Sequence, residues 1–170
     1  MGFNWSYQVR FGDTDGAGVV YFARSLEICH GAYEASLAAS GINLQAFFSG
    51  HWIPSQMPPP SDSSSVAIAV PIVATEGHFY RPCFCGDSLT IQVQAHQKNE
   101  TEFEVKYRWL HLVDAEPSDT SRPSGTAMTR HACVQVRSEG EGKSVHRRCP
   151  LPPELHQWLA FVGAGEDGES

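Results

Sequence analysis

Two carboxylates separated by one residue, Asp13 and Asp15, stand in the run Phe11-Gly-Asp-Thr-Asp-Gly-Ala-Gly-Val-Val-Tyr-Phe22. An apolar pattern of helical period follows, and its first free amides fall near Tyr21 and Phe22. A helix start carries unpaired N–H groups and a partial positive charge, so it can hold a developing oxyanion. A carboxylate a few residues upstream can attack a carbonyl polarised there, or deprotonate a water that attacks it. Acyl transfer or hydrolysis needs those two parts. A lone aspartate at a helix entry is more often a turn or capping residue. Gly16 and Gly18 permit backbone angles and a close substrate approach that a Cβ would hinder.

Other chemistry fails on spacing. Asp13-x-Asp15-x-x-Gly18 begins like a calcium loop, but Ala17 and Arg24 stand where that loop needs an oxygen ligand and a glutamate. Gly142-Lys143-Ser144 lacks the upstream glycine of a phosphate loop, since Arg137 stands there. There is no Gly-x-Ser-x-Gly elbow and no His-Glu-x-x-His pair, so neither a serine hydrolase nor a zinc site is expected. The five cysteines include no Cys-x-x-Cys pair and read as free thiols in a reducing cytoplasm.

The run resembles the active-site signature of the hotdog-fold thioesterases of the 4-hydroxybenzoyl-CoA thioesterase type. With Cys29-His30-Gly-Ala-Tyr-Glu34 added, it is closer to one branch, the 1,4-dihydroxy-2-naphthoyl-CoA thioesterases of cyanobacterial phylloquinone synthesis. The resemblance covers residues 5–162. It implies that Asp15, the second aspartate, is the catalytic carboxylate, with Asp13 bracing the loop. It implies that the Phe22 backbone N–H polarises the thioester carbonyl, with Gly16, Gly18 and Tyr21 around the substrate. His30 occupies a position where hydroxybenzoyl-specific relatives can carry an acidic group, and it is expected to meet a naphthol hydroxyl, oriented by Glu34 one turn on. Lys98, Arg147 and Arg148 are the candidates for the CoA phosphates. The implied enzyme is an acyl-CoA thioesterase without metal or redox cofactor, a homodimer or homotetramer. The alternatives are a thioesterase for another aromatic or fatty acyl-CoA and a non-catalytic acyl-CoA-binding module.

Such groups need a scaffold, and the periodicity supplies one. Trp5, Tyr7, Val9 and Phe11 alternate with polar residues as a strand does. Phe22, Leu26, Cys29, Tyr33 and Leu37 form one helical stripe over 21–40, closed by Gly41. Residues 54–65, rich in proline and serine, read as a loop and lid, and 114–125 as a second polar loop. The segment 66–80 is β-rich. Leu89, Ile91, Val93 and Ala95 make one strand face, and Phe103, Val105, Tyr107, Trp109 and His111 another, joined by a hairpin at 97–100. A last long strand spans 127–137 with Met128, Ala132, Val134 and Val136 inward, and a short helix spans 152–162. Strand, long helix, then strands with hairpin links predict an α+β domain over residues 1–162, a helix on one face of an antiparallel sheet. The name hotdog fold comes from the resemblance alone. Residues 163–170, glycine-rich and acidic, read as a disordered tail. A formal net charge of -7 argues against nucleic acid as main partner, and no apolar run is long enough to span a membrane.

Overall fold

A computed structural model describes residues 2–55, 66–112, 122–138 and 144–163. Most of the expected lid, most of the second polar loop and the acidic tail lie outside those residues. Chain order is β1 (Phe3–Gln8), a 3-10 turn (Phe11–Asp13), α1 (Phe22–Ala39), α2 (Leu44–Phe47), β2 (Val66–Ala69), β3 (Ile72–Phe79), β4 (Ser88–Asn99), β5 (Glu102–His111), β6 (Gly125–Ala132), β7 (Val134–Ser138), β8 (Ser144–Arg148) and α3 (Pro153–Val162). A five-stranded sheet runs β1-β4-β5-β6-β3 and a three-stranded sheet β2-β7-β8, every pair antiparallel. Val70 and Pro71 separate β2 from β3, and Cys133 separates β6 from β7, so both segments pass from one sheet to the other at the same level, where the Ala132 amide donates to Pro71 O.

The alternating faces of β4 and β5 are the floor of the core. Leu89, Ile91, Val93, Phe103, Val105 and Tyr107 are all buried. Removing a side chain of that size from water contributes about 1.5–3 kcal/mol. Helix α1 lies on this floor with Ile28, Cys29, Ala32, Tyr33 and Leu37 buried, and α3 closes the far side with Leu155, Trp158, Leu159 and Val162. The Trp158 indole N–H donates to Ser36 Oγ at 3.0 Å, which ties the two helices together. Helix α1 ends in a 6→1 bond from Ile42 N–H to Leu37 O and a 5→2 bond from Gly41 N–H to Ala38 O. Gly41 sits at φ +92, a left-handed conformation that side chains resist. This is the hotdog arrangement, an antiparallel sheet curled around a long helix.

Four expectations are corrected. The first strand stops at Gln8, and Phe11 lies in the 3-10 turn, 85% exposed. Phe22 opens α1 but its ring is 62% exposed, so the buried stripe begins at Ser25 and Ile28. On β6 Ala132 is buried as expected, but Met128 is not, and Thr129 and His131 are buried in its place. The hairpin turns at Glu100-Thr101, since Asn99 faces Glu102, and β8 is a strand that the sequence pattern did not announce.

Candidate active site

The 3-10 turn presents Asp13 inward, where it is 1% exposed. Its carboxylate accepts from the Tyr7 hydroxyl at 2.7 Å, the Arg10 amide at 2.8 Å and the Arg24 guanidinium at 3.0 Å. Burial alone would raise the pKa of this carboxyl. The Tyr7 hydroxyl, the Arg10 amide and the Arg24 charge outweigh it and hold the carboxyl below its ordinary range. The Asp13 carbonyl also accepts from the Tyr21 amide at 2.8 Å. Asp13 therefore clamps β1 to the start of α1, which is the bracing role expected of it.

Between those anchors the chain makes a miniature hairpin. Thr14 bridges Val20, the Asp15 amide donates to Val19 O, and the Gly18 amide donates to Asp15 O. Gly18 turns the chain at φ +78. One carboxylate oxygen of Asp15 accepts from the Ala17 amide at 2.8 Å, which orients the side chain while leaving it exposed. A second strap, Val20 N–H to Cys83 O at 2.9 Å, holds the hairpin against the connection between β3 and β4.

An open cavity of about 400 Å³ lies in this angle. Asp15, Tyr21 and Phe22 line it, with Arg81, Cys83 and Trp109 opposite. No side chain caps α1, so the amides of its first turn are left for a ligand. The Trp109 indole N–H donates to Cys29 Sγ at 3.3 Å, which fixes the plane of that wall. Arg81 brings a guanidinium to the cavity, donating to Arg122 O at 3.0 Å. Sequence reasoning missed Arg81, Trp109 and Ser124. Arg81 carried one signal, its place between the aromatic pair Phe79-Tyr80 and Pro82.

Cys83 Sγ lies 3.7 Å from His111 Nε2, and His111 Nδ1 lies 3.9 Å from Asp87. The order thiol, imidazole, carboxylate suggests a nucleophile, but the electrostatics oppose it. Burial, and then the Asp87 charge, push the Cys83 thiol up, so it keeps its proton.

Of the residues expected at the site, Asp15, Tyr21 and Phe22 meet at this cavity. Gly16 and Gly18 shape the hairpin without lining it. His30 and Glu34 pair with each other at 3.2 Å farther along α1, where the His30 ring packs beside Tyr33 and Phe48. Lys98 and Arg148 are engaged by Glu104 and Glu102 at the opposite end of the sheet. Lys98 is nine positions beyond Leu89 on β4, about 30 Å at ~3.3 Å per residue. Arg147 projects from β8 beside Arg137 and Val145. These three cations are not brought to the Asp15 cavity of their own chain. No cluster of three metal-binding side chains occurs among the described residues.

Residues 9–159 match the family described as the thioesterase-like superfamily. A 1,4-dihydroxy-2-naphthoyl-CoA hydrolase from Synechococcus elongatus is 42% identical over 91% of this chain and 92% of its own length. The enzyme of the same name from Gloeothece citriformis is 40% identical over 93% and 92%. A solved 1,4-dihydroxy-2-naphthoyl-CoA thioesterase from Synechocystis superposes with a TM-score of 0.69 at 28% identity, covering 94% of this chain and 96% of that one.

Proposed function

Since this chain belongs to the thioesterase-like superfamily, we propose that it hydrolyses 1,4-dihydroxy-2-naphthoyl-CoA to the free acid and CoA, with Asp15 as the catalytic carboxylate. The observation that carries the chemistry is the meeting of Asp15 and the uncapped start of α1 at one cavity. The substrate comes from the relatives at 42% and 40% identity, which match nine-tenths of both chains.

The thioester carbonyl oxygen lies against the Phe22 N–H, where the developing negative charge meets the positive end of α1. Asp15 attacks the carbonyl carbon to give a mixed anhydride, which water then hydrolyses to the free acid and the restored carboxylate, or it removes a proton from a water that attacks the carbon directly. The carbon–sulfur bond breaks, and CoA leaves as a thiolate that water protonates. A thiolate is a good leaving group, so a histidine beside the carboxylate is not required. Trp109, Tyr21 and Phe79 give the cavity the aromatic walls that suit an aromatic acyl group. His30, held by Glu34, is reserved for the naphthol hydroxyl of a substrate shared with a second subunit.

The case for a second subunit rests on β3. It is the outer strand of the five-stranded sheet and exposes Ile72 and Val73, with Phe79 continuing to the cavity rim. A free apolar edge favours pairing with another strand, and the reading is a homodimer that completes each site. No helix among the described residues is long and apolar enough to cross a membrane. A cytoplasmic enzyme acting on soluble acyl-CoA is the matching reading.

The test is kcat/KM for 1,4-dihydroxy-2-naphthoyl-CoA, 4-hydroxybenzoyl-CoA and palmitoyl-CoA, with CoA release followed chromatographically. A preference of ten-fold or more (about 1.4 kcal/mol) for the naphthoyl ester is expected. Equal rates on all three would replace the assignment with a broad acyl-CoA hydrolase. Binding without turnover would make the chain a sensor or assembly module.

A further inference from the structure

Away from the cavity, two thiols are in contact. Cys133 Sγ and Cys149 Sγ are 3.4 Å apart, both reduced. They extend the β7–β8 ladder by one step, because Val134 faces Arg148 and the Cys149 amide donates to Cys133 O at 3.1 Å. Facing residues on antiparallel strands stand about 4.5–5.5 Å apart at Cα, inside the span of a disulfide. Closing the sulfur gap therefore needs only side-chain rotation. Cys133 is fully buried, whereas Cys149 is partly exposed and borders an open recess of about 370 Å³ with Pro54, Ile68 and Pro150. A small oxidant has a way to one sulfur and none to the other.

We propose that Cys133 and Cys149 form a reversible redox staple, oxidised by a peroxide and reopened by a dithiol. The Cys149 sulfur attacks the near oxygen of the peroxide. The O–O bond breaks, sulfur loses two electrons to the peroxide, and Cys149 becomes a sulfenic acid as one water leaves. Cys133 then attacks that sulfur. The S–S bond forms, the S–O bond breaks, and the Cys133 proton leaves with the second water. In sum, two thiols and one hydrogen peroxide give one disulfide and two waters. Burial holds both thiols above their ordinary range, so the first step is slow at neutral pH and quickens as Cys149 ionises. The second step needs no approach, because its partner is already in contact, and it too quickens as Cys133 ionises.

The staple acts on the fold more than on catalysis. Cys133 N–H donates to Thr101 O and Leu151 N–H to Glu100 O, so the link lies at the β4–β5 hairpin, at the opposite end of β4 from Val9 and the Asp15 loop. It would tie the β6–β7 bend to the segment entering α3. This assignment is independent of the acyl-CoA reading.

The test uses the full chain treated with hydrogen peroxide, alkylated, digested and mapped. Expected are a Cys133–Cys149 linked peptide and an intact mass lower by two hydrogens. Linkage should form faster at about pH 9 than at about pH 7. Tm should rise by about 5 °C and fall back with dithiothreitol, while hydrolysis stays within about twofold. Cys149→Ser, at the more exposed position, should abolish both the link and the rise; it keeps the test valid if Cys133→Ser does not fold. A sulfinic acid at Cys149 with Cys133 still alkylatable, links through the exposed Cys85 only, or a link without a change in Tm would each overturn the proposal.

Discussion

Two aspartates separated by one residue stand in different surroundings because their partners differ. Asp13 has three donors and no exposure, whereas Asp15 has one backbone donor and an open side. Asp15→Asn keeps the shape and removes the carboxylate proposed as nucleophile or base. Turnover should fall at least ~10²-fold with little change in KM; near-normal turnover would remove Asp15 from the mechanism. Cys83→Ala should leave turnover within about threefold, since that thiol stays protonated, and a loss as large as that of Asp15→Asn would show an acyl-cysteine route instead. A third residue governs stability. His131 is buried between Tyr33 and Phe103, and burial pushes it down to about 4. The unfolded chain takes up a proton near the ordinary histidine value of ~6.5 while the folded chain does not. Its contribution is thus fully present above that pH and is lost as pH falls toward 4. Wild-type Tm should drop across this window more steeply than that of His131→Gln, and parallel curves would mean that other groups set the slope.

At the scale of elements, the sequence was most legible where one pattern repeated. The faces of β4 and β5 and the length of α1 followed from alternation, helical spacing and Gly41. Legibility failed where the pattern was short or the environment decided. On β6, His131 is a core residue because Tyr33 and Phe103 sandwich its ring and Thr129 bonds its Nε2 at 2.9 Å. No hydropathy reading assigns a histidine inward over a methionine. The strand β8, Ser-Val-His-Arg-Arg, is mostly exposed and exists because β7 offers it an edge. The site was half legible for a similar reason. Asp15 and Phe22 lie in one contiguous run, but Arg81, Trp109 and Ser124 reach the cavity from three separate elements. The hairpin around Asp15 makes its own prediction. Gly18→Ala forces a side chain into φ +78, which costs about 1–2 kcal/mol. Turnover should fall more than stability does, as judged by kcat beside Tm; equal turnover would show that the hairpin tolerates the change.

The whole molecule adds what no single element holds. The aromatic walls of the cavity run out to Phe79 at the end of β3, the outer strand of its sheet, so assembly and activity should fail together. Val73→Lys places a charge on that edge. Light scattering should show a smaller species with at least ~10-fold lower kcat/KM, and an active monomer would separate catalysis from assembly. The order in which the molecule comes together is set by a feature already in view. Phe3 faces Val93 and Gln8 faces Ser88, so the partners of β1 are 80 to 90 residues downstream. Tyr7, on that strand, is one of the three donors that hold Asp13. A nascent chain leaving the ribosome has the whole Asp15 run exposed long before β4 is synthesised. The Asp15 loop is therefore made well before the strand that fixes it and takes its final shape late, a long-range closure that slows folding.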